Sequence, residues 1–160
     1  MYELGDSAEE VSVSLTRITP PPLSALETAA AAGAPRRCHR EGEECPLYAS
    51  EDPLTAEAEV NYSHAYLRGM EVRWTWLEGR LRLLDLSDPD VLRRLGTTFD
   101  EIASESWATC QAIAGQAFSD GIEALRLPSV RRTGHNNVVV ARPAIARLEV
   151  IRIEYRILGP

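Results

Sequence analysis

Basic residues are concentrated in one predicted loop, residues 34–45, which contains Arg36, Arg37, His39 and Arg40. The arginine guanidinium is a planar fork that suits bidentate contacts with phosphate groups. In a loop, such side chains are also often simply solvated. Apart from this loop the chain offers scattered polar groups, with no glycine-rich phosphate loop, paired histidine site or nucleophile elbow.

The three cysteines, Cys38, Cys45 and Cys110, are too few to form a disulfide framework. Cys38 and the histidine beside it, followed by Cys45, fit no common zinc spacing, and no second pair of ligands accompanies them. We therefore expect reduced thiols and no metal site. The remaining histidines, His64 and His135, have no predicted role and are expected at the surface.

The size and charge of the chain exclude several classes of protein. With 160 residues, 44% of them hydrophobic, we expect a single domain over 1–160 with its own core. The formal net charge of −7 disfavours broad nucleic-acid binding, which needs a basic surface. No apolar run approaches the roughly 18 to 20 residues of a membrane span, and no signal peptide is visible. A cytoplasmic location is the resulting expectation.

Alternation of apolar and polar residues predicts most of the strands. The first strand is expected over Val11–Thr16, after a polar segment, 1–10, that we expect to be frayed. A hairpin is predicted from Val72 to Leu84, with its turn at Glu78-Gly79. Further strands are expected at Leu47–Ala49, Ile122–Leu127, Val138–Ala141 and Leu148–Ile157.

Four helices are predicted between these strands. Asp52, a capping carboxylate directly before Pro53, begins a helix that runs to about Leu67. The other predicted helices are an alanine-rich one over 23–32 that ends at Gly33, a short one from Ser87 to Leu95, and a long one from Phe99 to Phe118. Because the strands are too dispersed for regular βαβ units, the sequence predicts an α+β domain.

Short segments along most of the chain resemble, in the same order, those of the RES-domain family. Residues 83–89 (LLDLSDP) are similar to that family's LDLTDP stretch. The other matching segments are 47–60 (family LYLAESPETALAEV), Trp107 with Cys110-Gln111 (family W..CQ.L), and 128–137 (family PSA...G..N). The order is preserved over roughly residues 15–155. The family's GRWN motif, in contrast, is replaced by RRCHR at 36–40.

The resemblance implies both a fold and an activity. The fold would be like that of the ADP-ribosyltransferase toxins, with small mixed sheets flanked by helices and an NAD+ cleft between them. The activity would be that of a toxin that degrades NAD+ by cleaving the nicotinamide–ribose bond, with phosphate or water as acceptor. NAD+ is then the substrate, and no cofactor is expected. The implied partner is a cognate Xre-like antitoxin, without direct binding of this chain to nucleic acid or membrane.

The resemblance also assigns site residues. The family's arginine, glutamate and serine fall on Arg37, Glu59 and Ser129, and its active-site tyrosine falls on Tyr48. Arg37 would clamp phosphate, Tyr48 would stack on nicotinamide or ribose, and Glu59 would supply negative charge where positive charge develops. Ser129, at a strand end, would reach the ligand with its hydroxyl. Asn137 completes the NAD+-binding set, more by holding its loop than by touching the substrate.

Two of these assignments have direct competitors. Glu57 flanks the same apolar stripe as Glu59, so helical periodicity does not separate them. Arg36 and Arg40 compete with Arg37, which is favoured for its spacing to the strand that follows. Three functions remain open: an NAD+-degrading enzyme, a protein ADP-ribosyltransferase on the same fold, and a catalytically degenerate RES scaffold that only binds a partner. The sequence does not identify the acceptor, a protein target or the oligomeric state.

Overall fold

The computed structural model describes Tyr2 and residues 4–21, 23–24, 26–28 and 35–159. Within these ranges the chain forms a six-stranded sheet and four α-helices. The strands are β1 (Ala8–Thr19), β2 (Leu47–Ser50), β3 (Glu71–Asp85), β4 (Ala124–Pro128), β5 (Asn136–Val140) and β6 (Leu148–Ile157). The helices are α1 (Pro53–Ser63), α2 (Pro89–Arg94), α3 (Phe99–Ala103) and α4 (Ala108–Ser119). No helix in the described ranges is long and apolar enough to cross a membrane.

Five of the strands close into a ring. β3 is antiparallel to β1 over almost its whole length, from Leu84 opposite Ala8 to Arg73 opposite Thr19. At its other edge β3 pairs in parallel with β4, and antiparallel pairings then run from β4 through β5 and β2 back to β1. β6 pairs with the rest of β3 and lies outside the ring. The described part of the chain is therefore a mixed α/β domain with one barrel-like sheet rather than separate small sheets.

The ring separates two apolar cores. Its interior is filled by side chains from all five strands, among them Leu15, Leu47, Leu77, Ala124 and Val138. The second core lies outside the ring, where α2, α3 and α4 pack on the outer faces of β4 and β5. Because successive side chains of a strand point to opposite faces, β2 directs Leu47 and Ala49 inward, and Tyr48 and Ser50 outward. The candidate site lies on this outward face.

Most predicted elements are confirmed, with bounds that change by a few residues. The predicted strands at 11–16, 47–49, 122–127, 138–141 and 148–157 correspond to β1, β2, β4, β5 and β6. α1 begins as expected, since the Asp52 carboxylate accepts a hydrogen bond from the Thr55 amide at 2.9 Å and Pro53 occupies the first turn. It ends earlier than predicted, and residues 65–67 form a short 3-10 turn instead.

The predicted hairpin at 72–84 is wrong, because this segment is the single long strand β3. Gly79 does not turn the chain; it pairs with Val13 on one side and Leu148 on the other. A Cβ atom at this position would lie 2.8 Å from the Arg147 carbonyl oxygen. The glycine therefore permits the close approach of another backbone segment, which is a common reason for a glycine inside a strand.

Two further predictions are corrected. The helix expected from Phe99 to Phe118 is two helices, α3 and α4, because the chain leaves α3 at Ser104 in extended conformation. The prediction that segment 1–10 is frayed is wrong for the residues that the structure describes. Ala8 to Glu10 belong to β1, and the Tyr2 amide donates to Gln116 Oε1 at 2.8 Å. The first difference is local, because the Ser104 hydroxyl accepts from the Ser106 amide at 2.9 Å and stabilises a turn in place of the helix. The second comes from tertiary contacts that local propensity does not contain.

The alanine-rich helix expected over 23–32 is not formed where the chain is described. Positions 23–24 and 26–28 have bent or irregular backbone. The rest of that prediction, including its end at Gly33, lies outside the described residues.

One end of the ring is closed by charged residues. The Arg126 guanidinium on β4 forms ion pairs with Glu51, directly after β2, and with Asp85, the last residue of β3, the latter at 2.7 Å. The three side chains are 23%, 31% and 28% exposed, respectively. Burial acts to lower the pKa of Arg126, but the hydrogen bonds that Arg126 donates to both carboxylates outweigh it and raise that pKa. One cation in the middle of β4 therefore holds the ends of β2 and β3 together.

We predict that Arg126→Leu destabilises the fold, because it leaves two facing carboxylates without their shared cation. The expected loss in the free energy of unfolding is about 2 kcal/mol, less than the 3–5 kcal/mol of a fully buried pair because of the partial exposure. Urea denaturation measures it. The control is Arg93→Leu, which breaks the exposed pair with Asp90 and is expected to cost under about 0.5 kcal/mol. Equal losses in the two variants would contradict this role.

Candidate active site

Three of the predicted site residues meet at one carboxylate oxygen. Glu59 lies on α1 and is half-buried. Its Oε1 accepts a hydrogen bond from the Ser129 hydroxyl at 2.7 Å and another from the Asn137 amide nitrogen at 2.7 Å. Among the described residues, Oε2 accepts no hydrogen bond. The arrangement fixes the carboxylate through one oxygen and leaves the other available to a ligand.

Asn137 is itself held by the sheet. It lies on β5 directly opposite Ser50 of β2. The buried Ser50 hydroxyl donates to Asn137 Oδ1 at 2.6 Å. With its oxygen satisfied by a hydroxyl and its nitrogen by a carboxylate, the amide has one consistent orientation. The strand pairing therefore sets the direction from which Glu59 is held.

Ser129 is fixed by the loop between β4 and β5. It is only 4% exposed, and its hydroxyl oxygen accepts from the backbone amides of Arg131 and Arg132 at 3.2 and 3.1 Å. The Ser129 amide in turn donates to the His135 carbonyl at 2.8 Å. The hydroxyl therefore stabilises the turn of the loop and contacts Glu59 at the same time.

The same loop is clamped to the beginning of α1. Asp52, the capping residue, accepts from Arg132 Nη1 at 2.6 Å and lies 3.1 Å from His135 Nδ1. Burial acts to raise the pKa of Asp52, but hydrogen bonds from Thr55 and the charges of Arg132 and His135 outweigh it and lower that pKa. Together with the Ser129–Glu59 bond, this clamp holds the loop against α1 at two points.

Tyr48 lies on the same outward face of β2, two residues before Ser50 and so about 7 Å along the strand. Its hydroxyl oxygen accepts from the Cys38 amide at 3.1 Å and lies 3.0 Å from His39 Nδ1. Burial raises the pKa of Tyr48 far above its usual range, and burial together with the charge of Arg36 lowers the pKa of His39. A neutral phenol can therefore donate to a neutral imidazole, which ties the basic loop to the sheet.

The structure separates the three candidate arginines. The Arg36 guanidinium lies 5.7 Å from the centre of the Tyr48 ring, and its charge contributes, after burial, to the lowered pKa of His64 at the end of α1. Arg37 instead points toward α3, with Nη1 3.5 Å from the Ile102 carbonyl oxygen. Arg40 is exposed and lies beside Glu43. Arg36 is therefore the arginine that lies beside Tyr48, whereas Arg37 is not brought to the Glu59 cluster.

The competition between Glu57 and Glu59 is also clear in space. Glu59 receives both side-chain hydrogen bonds described above. Glu57 lies toward the C-terminal segment, where a Cβ at Gly159 would come within 3.0 Å of its Oε1. Of the two carboxylates, only Glu59 faces the outward surface of β5.

Sequence reasoning missed several residues of this cluster. Ser50, Asp52 as a loop clamp, Arg132 and His135 all contribute through partners that are distant in the chain. His135 was expected as a surface residue without a role. Its only local signal is its position two residues before Asn137, and the signal for Ser50 is its two-residue spacing from Tyr48 on a strand.

Comparison with known proteins identifies the family. Residues 14–158 match the RES domain. The protein therefore belongs to the RES-domain family, as the ordered sequence segments predicted. A chain in the crystal structure of the M. tuberculosis MbcT–MbcA toxin–antitoxin complex has the same fold, with a TM-score of 0.79 and 20% identity, over 93% of this chain and 86% of that chain. A comparison with curated proteins finds no match.

We predict that Asp52→Asn loosens the clamp and alters the response to acid. Asparagine still caps α1 but lacks the charge that holds Arg132, so we expect a loss of about 1 kcal/mol in the free energy of unfolding at pH 7. Because folding lowers the pKa of Asp52, its stabilisation is present above the unfolded pKa and lost as pH falls through the folded one. As the pH falls below about 4, the free energy of unfolding should therefore decrease less in the variant than in the wild type.

Urea denaturation at several pH values tests this. Asp88→Asn is the matched control, because Asp88 also caps a helix before a proline but has no cationic partner among the described contacts. If the free energy of unfolding of Asp52→Asn changed with pH just as that of the wild type does, the charge of Asp52 would make no contribution to stability, and the prediction would be wrong.

Proposed function

We propose that this protein is the toxin of a toxin–antitoxin pair and that it degrades NAD+ by cleaving the bond between nicotinamide and ribose. Membership of the RES-domain family supports this proposal, as does the fold shared with a chain of a toxin–antitoxin complex. The observation that carries it is the Glu59 carboxylate, which two neutral donors hold through one oxygen while the other accepts no hydrogen bond within the described part of the chain.

The chemistry needs a fixed negative charge beside the ribose. When the C–N bond breaks, its electron pair leaves with nicotinamide, and positive charge develops on the ribose carbon and ring oxygen. A carboxylate already held in place stabilises that charge without reorganising. Glu59 suits this role because Ser129 and Asn137 fix its position and leave its negative charge in place. A cationic partner would neutralise that charge.

The second half of the reaction is attack on the ribose carbon. A phosphate oxygen would give ADP-ribose 1″-phosphate, and water would give ADP-ribose and one proton. Glu59 Oε2 can orient the attacking water and accept that proton before it passes to solvent. In this proposal NAD+ is the substrate and the residues of the chain need no cofactor.

Arg36 and Tyr48 are proposed to bind the rest of the dinucleotide. Tyr48 lies on the same face of β2 as Ser50, about 7 Å along the strand, which is within the span of one nucleotide. The Arg36 guanidinium, from the loop before β2, lies 5.7 Å from the centre of the Tyr48 ring. Arg36 can clamp a phosphate with its guanidinium fork. The partly exposed ring of Tyr48 can border the nicotinamide or ribose, while its hydroxyl holds the basic loop.

Glu59→Gln is expected to reduce nicotinamide release from NAD+ by about 100- to 1000-fold. The amide keeps the shape of the side chain and its oxygen can still accept from Ser129, so the variant should fold. The release of nicotinamide, resolved by chromatography, measures turnover. Glu57→Gln, two residues away on the same helix, should retain near-native activity. Retention of activity by Glu59→Gln and loss by Glu57→Gln would place the reacting carboxylate at Glu57.

Substitution of the two adjacent arginines separates their roles. Arg36→Gln should raise the KM for NAD+ about tenfold, the equivalent of losing roughly 1.4 kcal/mol of phosphate binding. Arg37→Gln should change it by less than about twofold, because its guanidinium faces α3. Steady-state kinetics over a range of NAD+ concentrations provides both values. The reverse order would restore Arg37 as the phosphate clamp.

We also propose that an Xre-like antitoxin binds over this site and blocks NAD+ entry. An acidic or C-terminal segment of the antitoxin can pair with Arg36 and its basic neighbours, so inhibition should weaken as salt rises. Co-expression with the adjacent reading frame, co-purification and an NAD+ competition assay test this. A bound neighbour that leaves NAD+ consumption at the free rate would exclude blockade. Transfer of ADP-ribose to a protein would instead identify the ADP-ribosyltransferase alternative.

A further inference from the structure

The strand β6 is unprotected at the edge of the sheet. It pairs with β3 on one side only, and among the described residues no backbone group pairs with its other edge. Its ten residues extend over about 33 Å. Natural edge strands are usually short or bulged, or carry proline or charged side chains, above all lysine, that prevent pairing with another chain. β6 has neither lysine nor proline, and among its charged residues Arg152, Glu154 and Arg156 alternate in sign.

The exposed side chains of β6 form an apolar row. Ile153, Tyr155 and Ile157 lie on one face of the strand and are 44%, 53% and 63% exposed. They belong to the stretch that pairs regularly with β3, beyond the irregularity opposite Trp76 and Leu77. A long strand with a free edge and exposed alternating apolar residues is suited to pairing with a further strand.

The sequence of this stretch is complementary to itself. In an antiparallel pair of identical strands related by a two-fold axis, residues at equal distances on either side of the axis lie opposite each other. With the axis at Tyr155, Ile153 faces Ile157 of the second copy. Glu154 then faces Arg156 of the second copy, and the same two contacts repeat across the axis. Apolar and opposite-charge cross-strand pairs of this kind stabilise a sheet.

We propose that a second copy of this chain binds along β6, so that two β6 strands pair antiparallel about Tyr155 and join two sheets into one. The occupant is identified by the match of charges: Glu154 lies between Arg152 and Arg156 and contacts both within its own chain. Pairing brings the partner copy's arginine to the same carboxylate. It also gives the free edge its missing backbone hydrogen bonds.

A second pairing register would also place opposite charges across from each other, but it fits the strand less well. With the axis at Ile153, Arg152 would face Glu154 of the second copy, yet the pairing would cross the irregularity opposite Trp76 and Leu77. In the Tyr155 register, Arg152 faces Leu158 beyond the end of the strand and contributes no charge pair. Arg152→Glu therefore serves as a matched control.

The dimer is independent of the proposed enzymatic activity. The residues of the candidate active site lie on β2, β5, α1, the loop after β4 and the basic loop before β2, and none lies on β6. Dissociation of the dimer should therefore leave the folded ring and its Glu59 cluster unchanged.

Sedimentation velocity over a range of protein concentrations tests the proposal. The wild-type chain should shift from 17.7 kDa to twice that mass. Glu154→Arg or Arg156→Glu should each weaken the dimer at least about tenfold, because each places like charges opposite each other at two symmetric contacts. The double variant, which exchanges the two charges, should dimerise again. Arg152→Glu should dimerise as wild type does.

Ile153→Lys provides a second test, since a lysine on the apolar row should prevent pairing. Phe99→Lys, at an exposed apolar position on α3, should leave the dimer intact. A chain that remains at 17.7 kDa at high concentration would overturn the proposal, as would a dimer that survives Glu154→Arg and Ile153→Lys. Failure of the charge exchange to restore a dimer, with both single variants folded, would also overturn it.

Discussion

The antiparallel pairing of β1 with β3 is the constraint on which the rest of the structure depends. It joins the first strand of the chain to the long central one and so closes five strands into a ring. Without it, β2 and β1 share only the pair between Thr16 and Ser50, and the sheet would open there. Closure fixes β2 beside β5, and this pairing places Ser50 opposite Asn137. The ring therefore positions both residues that hold Glu59: Asn137 lies on β5, and Ser129 lies in the loop that joins β4 to β5.

The candidate site adds a second level of fixation to this scaffold. α1 follows β2 after two residues, and its carboxylates engage the loop that joins β4 to β5: Asp52 through Arg132 and Glu59 through Ser129. The site therefore lies on rigid strands and a helix, with one loop clamped at two points. Such a platform can hold a charge in place while positive charge develops on a ligand. The basic loop carrying Arg36 is attached separately, through the Tyr48 hydroxyl.

Local signals predicted much of the fold, and tertiary pairing explains what they missed. Alternation predicted five strands, and the Asp-Pro pair predicted the beginning of α1. The sequence alone predicts a turn at Gly79, because the group that requires a glycine there, the Arg147 carbonyl, lies far along the chain. In the site, family resemblance selected Glu59, Ser129 and Asn137, which the structure brings together. It favoured Arg37 over Arg36, whereas the structure places Arg36 beside Tyr48 and turns Arg37 toward α3, a difference in side-chain direction that the sequence does not contain.

The most direct measurement of the central claim is a mass-resolved product analysis. The purified wild-type chain, free of any antitoxin, is incubated with NAD+ in the presence and absence of phosphate. We predict release of nicotinamide, either with ADP-ribose 1″-phosphate and only when phosphate is present, or with ADP-ribose in both conditions when water is the acceptor. NAD+ that stays intact after prolonged incubation with folded protein would contradict the account and identify a RES scaffold that only binds a partner.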